Sequence, residues 1–465
     1  MKRHRRSFAV RVDEWLLPVF LVIVFLIGGA SRPDVLSTVV LRPLAIVAIG
    51  LAVAITPIAA FAQQRFVIGI VVAGMALVTL HLIPLPYAVW TALPGRELLV
   101  RATEFGAVGK TWRPLTMVPD AGWNALFSLA IPLAVYCCWL ASPVERQRIL
   151  LPLLLCVGAA STALGVIQVA TGQFYLYRLS TLGSPVGLFA NRNHQAMFLT
   201  LLIPMMATYA SLAKDDRAAK HRGLATIATG LAMIPILLVI GSRAGLLLGI
   251  VATVAALGLY RAPLRAGPRG KQRPIWASGL VIAATVILLA TITAMFTRAD
   301  AFARLLQTGG SREIRAENWR VVLSMIGDFM PWGSGAGSFV EVFQIGEPLS
   351  QIKYTYFNHA HNEPLEIALT LGLPGILVLL VGLAGWLWAS IVLWQAGKTR
   401  DWRILFGQLG SSIMLILGLA SLVDYPARTP SLAALLTLAA LWMASGYERA
   451  KSDRSGRSGE TRNER

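Results

Sequence analysis

Between residues 224 and 259 the chain is apolar except for the tripeptide Gly241, Ser242 and Arg243. As one helix, these roughly 36 residues would reach ~54 Å, well beyond the ~30 Å hydrocarbon core of a bilayer. As two helices they each fit, and the turn between them has to fall at GSRAG, residues 241–245. That turn holds Arg243 at a membrane surface, where a neutral residue would be easier to accommodate.

Similar stretches recur along the chain. Hydrophobic residues make up 56% of it and charged residues 14%, which excludes an ordinary soluble domain and leaves a polytopic membrane protein. About twelve spans are expected: 15–29, 44–62, 66–90, 123–140, 149–170, one after Ala196, two within 224–259, 276–296, one after His361, 404–423 and 432–447. The stretches are long and do not alternate, so the fold class is an all-α transmembrane bundle and not a β-barrel. Residues 1–14 read as an N-terminal segment, 15–447 as the membrane domain and 448–465 as a basic tail. The basic start ahead of 15–29 resembles a signal peptide, but the spans that follow favour a retained first helix. No internal repeat stands out.

The charge shows how the spans are oriented. Lys and Arg number 42 against 23 Asp and Glu, a net +19, and most of the excess lies in Lys2, Arg3, Arg5 and Arg6, in 261–273 and in 449–465. By the positive-inside rule these regions are cytoplasmic, so both termini are inside. No aromatic residues interleave the basic runs, which argues against nucleic acid as a partner. Cys137, Cys138 and Cys156 lack metal-ligand spacing and read as packing residues.

The opposite face then carries the connection 91–122, the segment FANRNHQA before the sixth span, and the long polar stretch 297–362. The last is expected to hold an interfacial helix through Arg304, Arg312, Arg315, Trp319 and Arg320 that ends near Pro331. GSGAGSF at 333–339 has glycine-rich spacing without a preceding strand, and reads as a tight turn and not as a nucleotide loop.

Collected on this face are Arg192 with His194, Arg243, Arg312 and Arg315, and His359 with His361. A guanidinium fork donates two hydrogen bonds to phosphate oxygens and keeps its charge, so the arginines suit a diphosphate. A histidine beside them can take a proton from an attacking hydroxyl. The plainer readings are arginines that reach toward headgroups, a helix cap at Asn362, and Asp424 pairing with Arg428 across the DYPAR turn.

GSRAG, RAENW, PWGSGAGSF and HNEPLEIALTLGLPG follow one another in order within 189–375. In that combination the sequence resembles the O-antigen ligase and polymerase superfamily of bacterial envelope glycan assembly, departing from its pattern at Thr370. The resemblance implies a GT-C-like membrane glycosyltransferase of the bacterial inner membrane, with a large periplasmic loop, a periplasmic active site and an undecaprenyl-diphosphate-linked glycan donor. It implies neither metal nor cofactor. By position, His361 is the catalytic histidine and Arg243 and Arg315 are the diphosphate-binding arginines. Arg312 competes for the last role, Arg192 is a further candidate for the diphosphate, and Asn362, His359, Asp424 and Arg428 are supporting.

The acceptor stays open among lipid A core in lipopolysaccharide biosynthesis, a growing polysaccharide, and a protein. A transporter is the alternative from another class, and it predicts mid-membrane charges and repeat symmetry.

Overall fold

The computed structural model describes residues 11–105, 109–213, 216–261, 311–349, 352 and 357–463. The expected span 276–296 and Arg304 lie outside them. The helices are α1 (Val12–Ile27), α2 (Leu36–Ile55), α3 (Arg65–Leu82), α4 (Tyr87–Thr91), α5 (Glu97–Glu104), α6 (Pro119–Ser128), α7 (Ala130–Ala141), α8 (Leu150–Thr171), α9 (Arg192–Ser211), α10 (Asp216–Ile240), α11 (Arg243–Leu259), α12 (Ser311–Phe329), α13 (Phe339–Gly346), α14 (Glu363–Gln395), α15 (Trp402–Ser421) and α16 (Pro430–Asn463). Among the described residues, paired strand is confined to one short antiparallel pair, Pro84–Leu85 with Arg113–Pro114. The protein is an all-α polytopic membrane protein.

Among the described residues, eight helices are long and apolar enough to cross a membrane, and α11 is a shorter apolar helix. Several ends differ from the expected spans. The second helix begins at Leu36 and stops at Ile55, because Pro57 has no amide hydrogen to continue the ladder. The third stops at Leu82, ahead of Pro84 and Pro86, instead of running to Trp90. The last continues past Tyr447 to Asn463. The turn at GSRAG divides the apolar run as expected, with Ile240 ending α10 and Arg243 opening α11.

The core is formed where α1, α7, α9, α15 and α16 pack together. Phe25 and Phe189 both pack at a tilt against Phe198, while Phe406 packs edge-on against Trp442. By contrast α2 and the second half of α14 turn apolar side chains outward, Val39, Val40, Ile46 and Val47 on one and Leu377, Leu380, Leu383 and Leu387 on the other. Outward apolar stripes of this length are what a helix presents to lipid.

Helix α14 is broken. Gly372 has φ 61° and ψ −154°, and Pro374 follows it. A Cβ at Gly372 would stand 2.2 Å from the Pro331 carbonyl oxygen, so only glycine permits this approach. The turn Pro331–Ala336 docks into the break. Leu373 N donates to Pro331 O at 2.8 Å, Ser334 N to Leu369 O at 2.9 Å, and Gly335 N to Thr370 O at 2.9 Å. Backbone groups freed by the broken helix are thereby satisfied by a neighbouring segment. The glycine-rich segment is thus a tight turn, and the departure at Thr370 falls on a residue whose carbonyl holds it.

Candidate functional site

The segment Phe357–Asn362 leads into α14, and its geometry is fixed from several directions. Asn362 is the N-cap, its side chain accepting from Leu365 N at 3.1 Å and donating to Leu422 O at 3.1 Å. His361, just before it, has φ 49°, a left-handed conformation uncommon for a histidine. Trp319 of α12 donates from Nε1 to Ala360 O at 2.7 Å, which ties the large polar segment to the backbone between the two histidines.

His361 Nδ1 lies 3.1 Å from Asp424 Oδ1. Asp424 is 1% exposed, its Oδ2 accepts from Asn193 Nδ2 at 2.9 Å, and its Oδ1 also accepts from Tyr425 N at 3.1 Å. Burial pushes the Asp424 carboxyl up, but the hydrogen bond from His361 and the donors around it outweigh burial and hold it well below the ordinary carboxylate range. An ionised carboxylate only accepts, so His361 donates from Nδ1, and in the neutral form of the ring the lone pair is then on Nε2. Nε2 has no hydrogen-bond partner among the described residues. The arrangement can accept a proton at a fixed point.

His359 belongs to a second group. Its Nδ1 lies 3.0 Å from Glu366 Oε1, and Glu366 Oε2 accepts from Ala360 N at 2.9 Å. Arg428 joins the same carboxylate at 3.1 Å and forks onto Glu363 at 2.9 to 3.1 Å. Burial lowers the basicity of Arg428, and the two glutamates more than reverse it. Asp424 and Arg428 therefore do not pair with each other across the DYPAR turn: Asp424 reaches His361, and Arg428 reaches Glu363 and Glu366 of α14. The rings of His194, His359 and His361 all pack on Tyr425, with centroids 5.2, 4.3 and 4.9 Å away. The Tyr425 hydroxyl accepts from Asn358 at 3.3 Å.

The arginines enter from other elements. Arg192 and Arg243 open α9 and α11. The two helices touch beside these positions, since a Cβ at Gly245 would stand 2.7 Å from the Ala196 Cβ. Asn193 in the same turn as Arg192 reaches Asp424, so the ends of α9 and α11 lie at the His361 end of the bundle. Arg315 lies one helical turn before Trp319 in α12, and it is Trp319 that reaches Ala360. The side chains of Arg312 and Arg315 lie outside the described residues.

Asn193, Glu363, Glu366 and Tyr425 were not singled out as site residues from the sequence. Each sits inside a segment that was, FANRNHQA, HNEPLE or DYPAR. A signal was present in Glu363 and Glu366, two carboxylates at the start of an apolar helix, which require a cationic partner. Against known families, residues 228–380 match the family described as O-antigen ligase. No curated protein matches the chain.

Proposed function

We propose that this chain, a member of the O-antigen ligase-like superfamily, moves a glycan from an undecaprenyl-diphosphate donor to an acceptor hydroxyl at the periplasmic face of a bacterial inner membrane. The family supports a ligase or polymerase of lipid-linked glycans, acting as a glycosyltransferase. The observation that carries the reading further is the His361–Asp424 pair, which holds a ring nitrogen beside the ends of α9 and α11, with Trp319 of α12 bound to the adjoining backbone.

In the proposed reaction the acceptor oxygen attacks the anomeric carbon from the face opposite the diphosphate. Its proton passes to His361 Nε2, the bond from the anomeric carbon to the phosphate oxygen breaks, and that oxygen keeps the electron pair. The product has inverted configuration. Asp424 positions the ring and offsets the charge it gains. Arg243 and Arg315 hold the diphosphate, whose stabilised charge reduces the need for an acid at the leaving oxygen. Arg192 and Arg312 are further candidates for that role.

Among acceptors, a lipid A core makes the protein an O-antigen ligase, and this is the reading we favour. The test is deletion of the protein followed by analysis of lipid-linked glycans. Long polymer accumulating on undecaprenyl diphosphate supports the ligase. Single repeat units accumulating instead point to a polymerase, and unchanged lipid-linked glycans contradict both.

A further inference from the structure

Arg428, which holds Glu363 and Glu366, also lines a small cleft of about 50 Å³ together with Arg32, Thr38, Arg42, Asn124 and Ser128, among others. Its cations are not equivalent. Arg428 is committed to Glu363 and Glu366, and Arg32 forks onto Asp34 at 2.9 and 3.1 Å. Arg42 has no carboxylate partner among the described residues. It donates to the side-chain oxygen and the carbonyl of Asn124.

Arg42 sits near the start of α2, a helix that otherwise turns Val39, Val40, Ile46 and Val47 outward. A guanidinium there is unfavourable unless it meets a headgroup or an anion. Asn124 fixes its direction toward the cleft. Because Asn124 accepts through Oδ1, its Nδ2 stays available as a further donor. The result is a fork and an amide at the edge of the lipid-facing surface, linked to His359 through Arg428 and Glu366.

We propose that this cleft is a second anion subsite, for the phosphate head of a lipid-borne acceptor, with Arg42 as its principal cation and Asn124 and Arg32 beside it. The assignment rests on the transferase reading, in that a lipid-borne acceptor must approach His361 while the donor diphosphate occupies Arg243 and Arg315. Arg428 then has two faces, one holding the glutamates that position the histidine segment and one closing the acceptor subsite.

The test uses the full chain in phosphatidylcholine nanodiscs doped with phosphatidic acid or with diacylglycerol, and counts retained lipids by native mass spectrometry. The wild type retains phosphatidic acid about tenfold more than Arg42→Gln does, a loss of the size expected for one charge-assisted contact. Diacylglycerol is retained by neither. Arg32→Gln, further from the Asn124 tether, also weakens retention and guards against a merely unfolded Arg42 variant. Equal retention by wild type and both variants overturns the proposal. So does displacement by inorganic phosphate with no preference for the lipid, since that identifies a free-anion site. A His361→Ala protein must retain phosphatidic acid normally, so failure of the transferase reading and failure of this one give different results.

Discussion

His361 Nδ1 and Asp424 Oδ1 stand 3.1 Å apart across 63 residues of sequence, and the carboxylate is itself held by Asn193 from a third part of the chain. A histidine proton donated to a buried carboxylate fixes both the ring and its tautomer. Asp424→Asn keeps the shape but no longer selects that tautomer. Transfer in proteoliposomes should fall by about 10² to 10⁴, the range typical of general base assistance, with donor binding unchanged. A variant with wild-type rates would reduce Asp424 to a packing residue.

Arg243 opens α11 at the turn where the lipid boundary forces it. Under the proposed diphosphate role, Arg243→Lys leaves a point charge that cannot reproduce two parallel hydrogen bonds, and transfer should drop by at least about tenfold. The same change at Arg315 should behave alike. Full activity for both variants would leave these arginines as headgroup contacts only.

Arg428 forks onto Glu363 and contacts Glu366, which is 2% exposed. Removing the cation leaves two buried carboxylates without it. Arg428→Gln should destabilise the fold by ~3 kcal/mol, the lower end expected for breaking such a pair, since Arg428 itself is partly accessible. A lowered midpoint for thermal unfolding in detergent is the readout.

The pH dependence follows from Asp424. Its carboxyl is held below the ordinary range in the folded protein, so it contributes stability that is complete above about pH 4 and is lost as pH falls further. Unfolding midpoints measured from neutral pH downward should decline below that point. Asp424→Asn should remove part of the decline.

Gly372 sits at φ 61° where α14 breaks, and a Cβ would stand 2.2 Å from the Pro331 oxygen. Gly372→Ala should therefore displace the turn that carries Gly333 to Ala336 and destabilise the protein by more than ~1 kcal/mol. Gly382, where an added Cβ meets nothing within 4 Å, is the control.

The membrane class and the hairpin at GSRAG were legible because bilayer thickness limits helix length, whatever the neighbours are. The His361 segment was legible for a similar reason, since polar residues before an apolar helix must be satisfied. The partners were not. Asp424 and Arg428 stand four residues apart and look like a local pair, and only the packing of α14 against the 424–428 turn sends one to His361 and the other to Glu363. The break at Gly372 carried a Gly-Leu-Pro signal, but what fills it, the turn at Pro331, lies about forty residues earlier, beyond the reach of local pattern. Tyr425 could not be found from spacing, because three histidines from two segments converge on it only in space.

In the proposed reaction everything turns on His361 taking the acceptor proton. The most direct test is transfer of a glycan from its undecaprenyl-diphosphate carrier by purified His361→Ala protein in proteoliposomes, with donor binding and thermal unfolding measured alongside. With His361 as the proton acceptor, transfer should be undetectable while donor binding and the unfolding midpoint stay close to wild type, whereas glycan transfer at the wild-type rate would rule that role out.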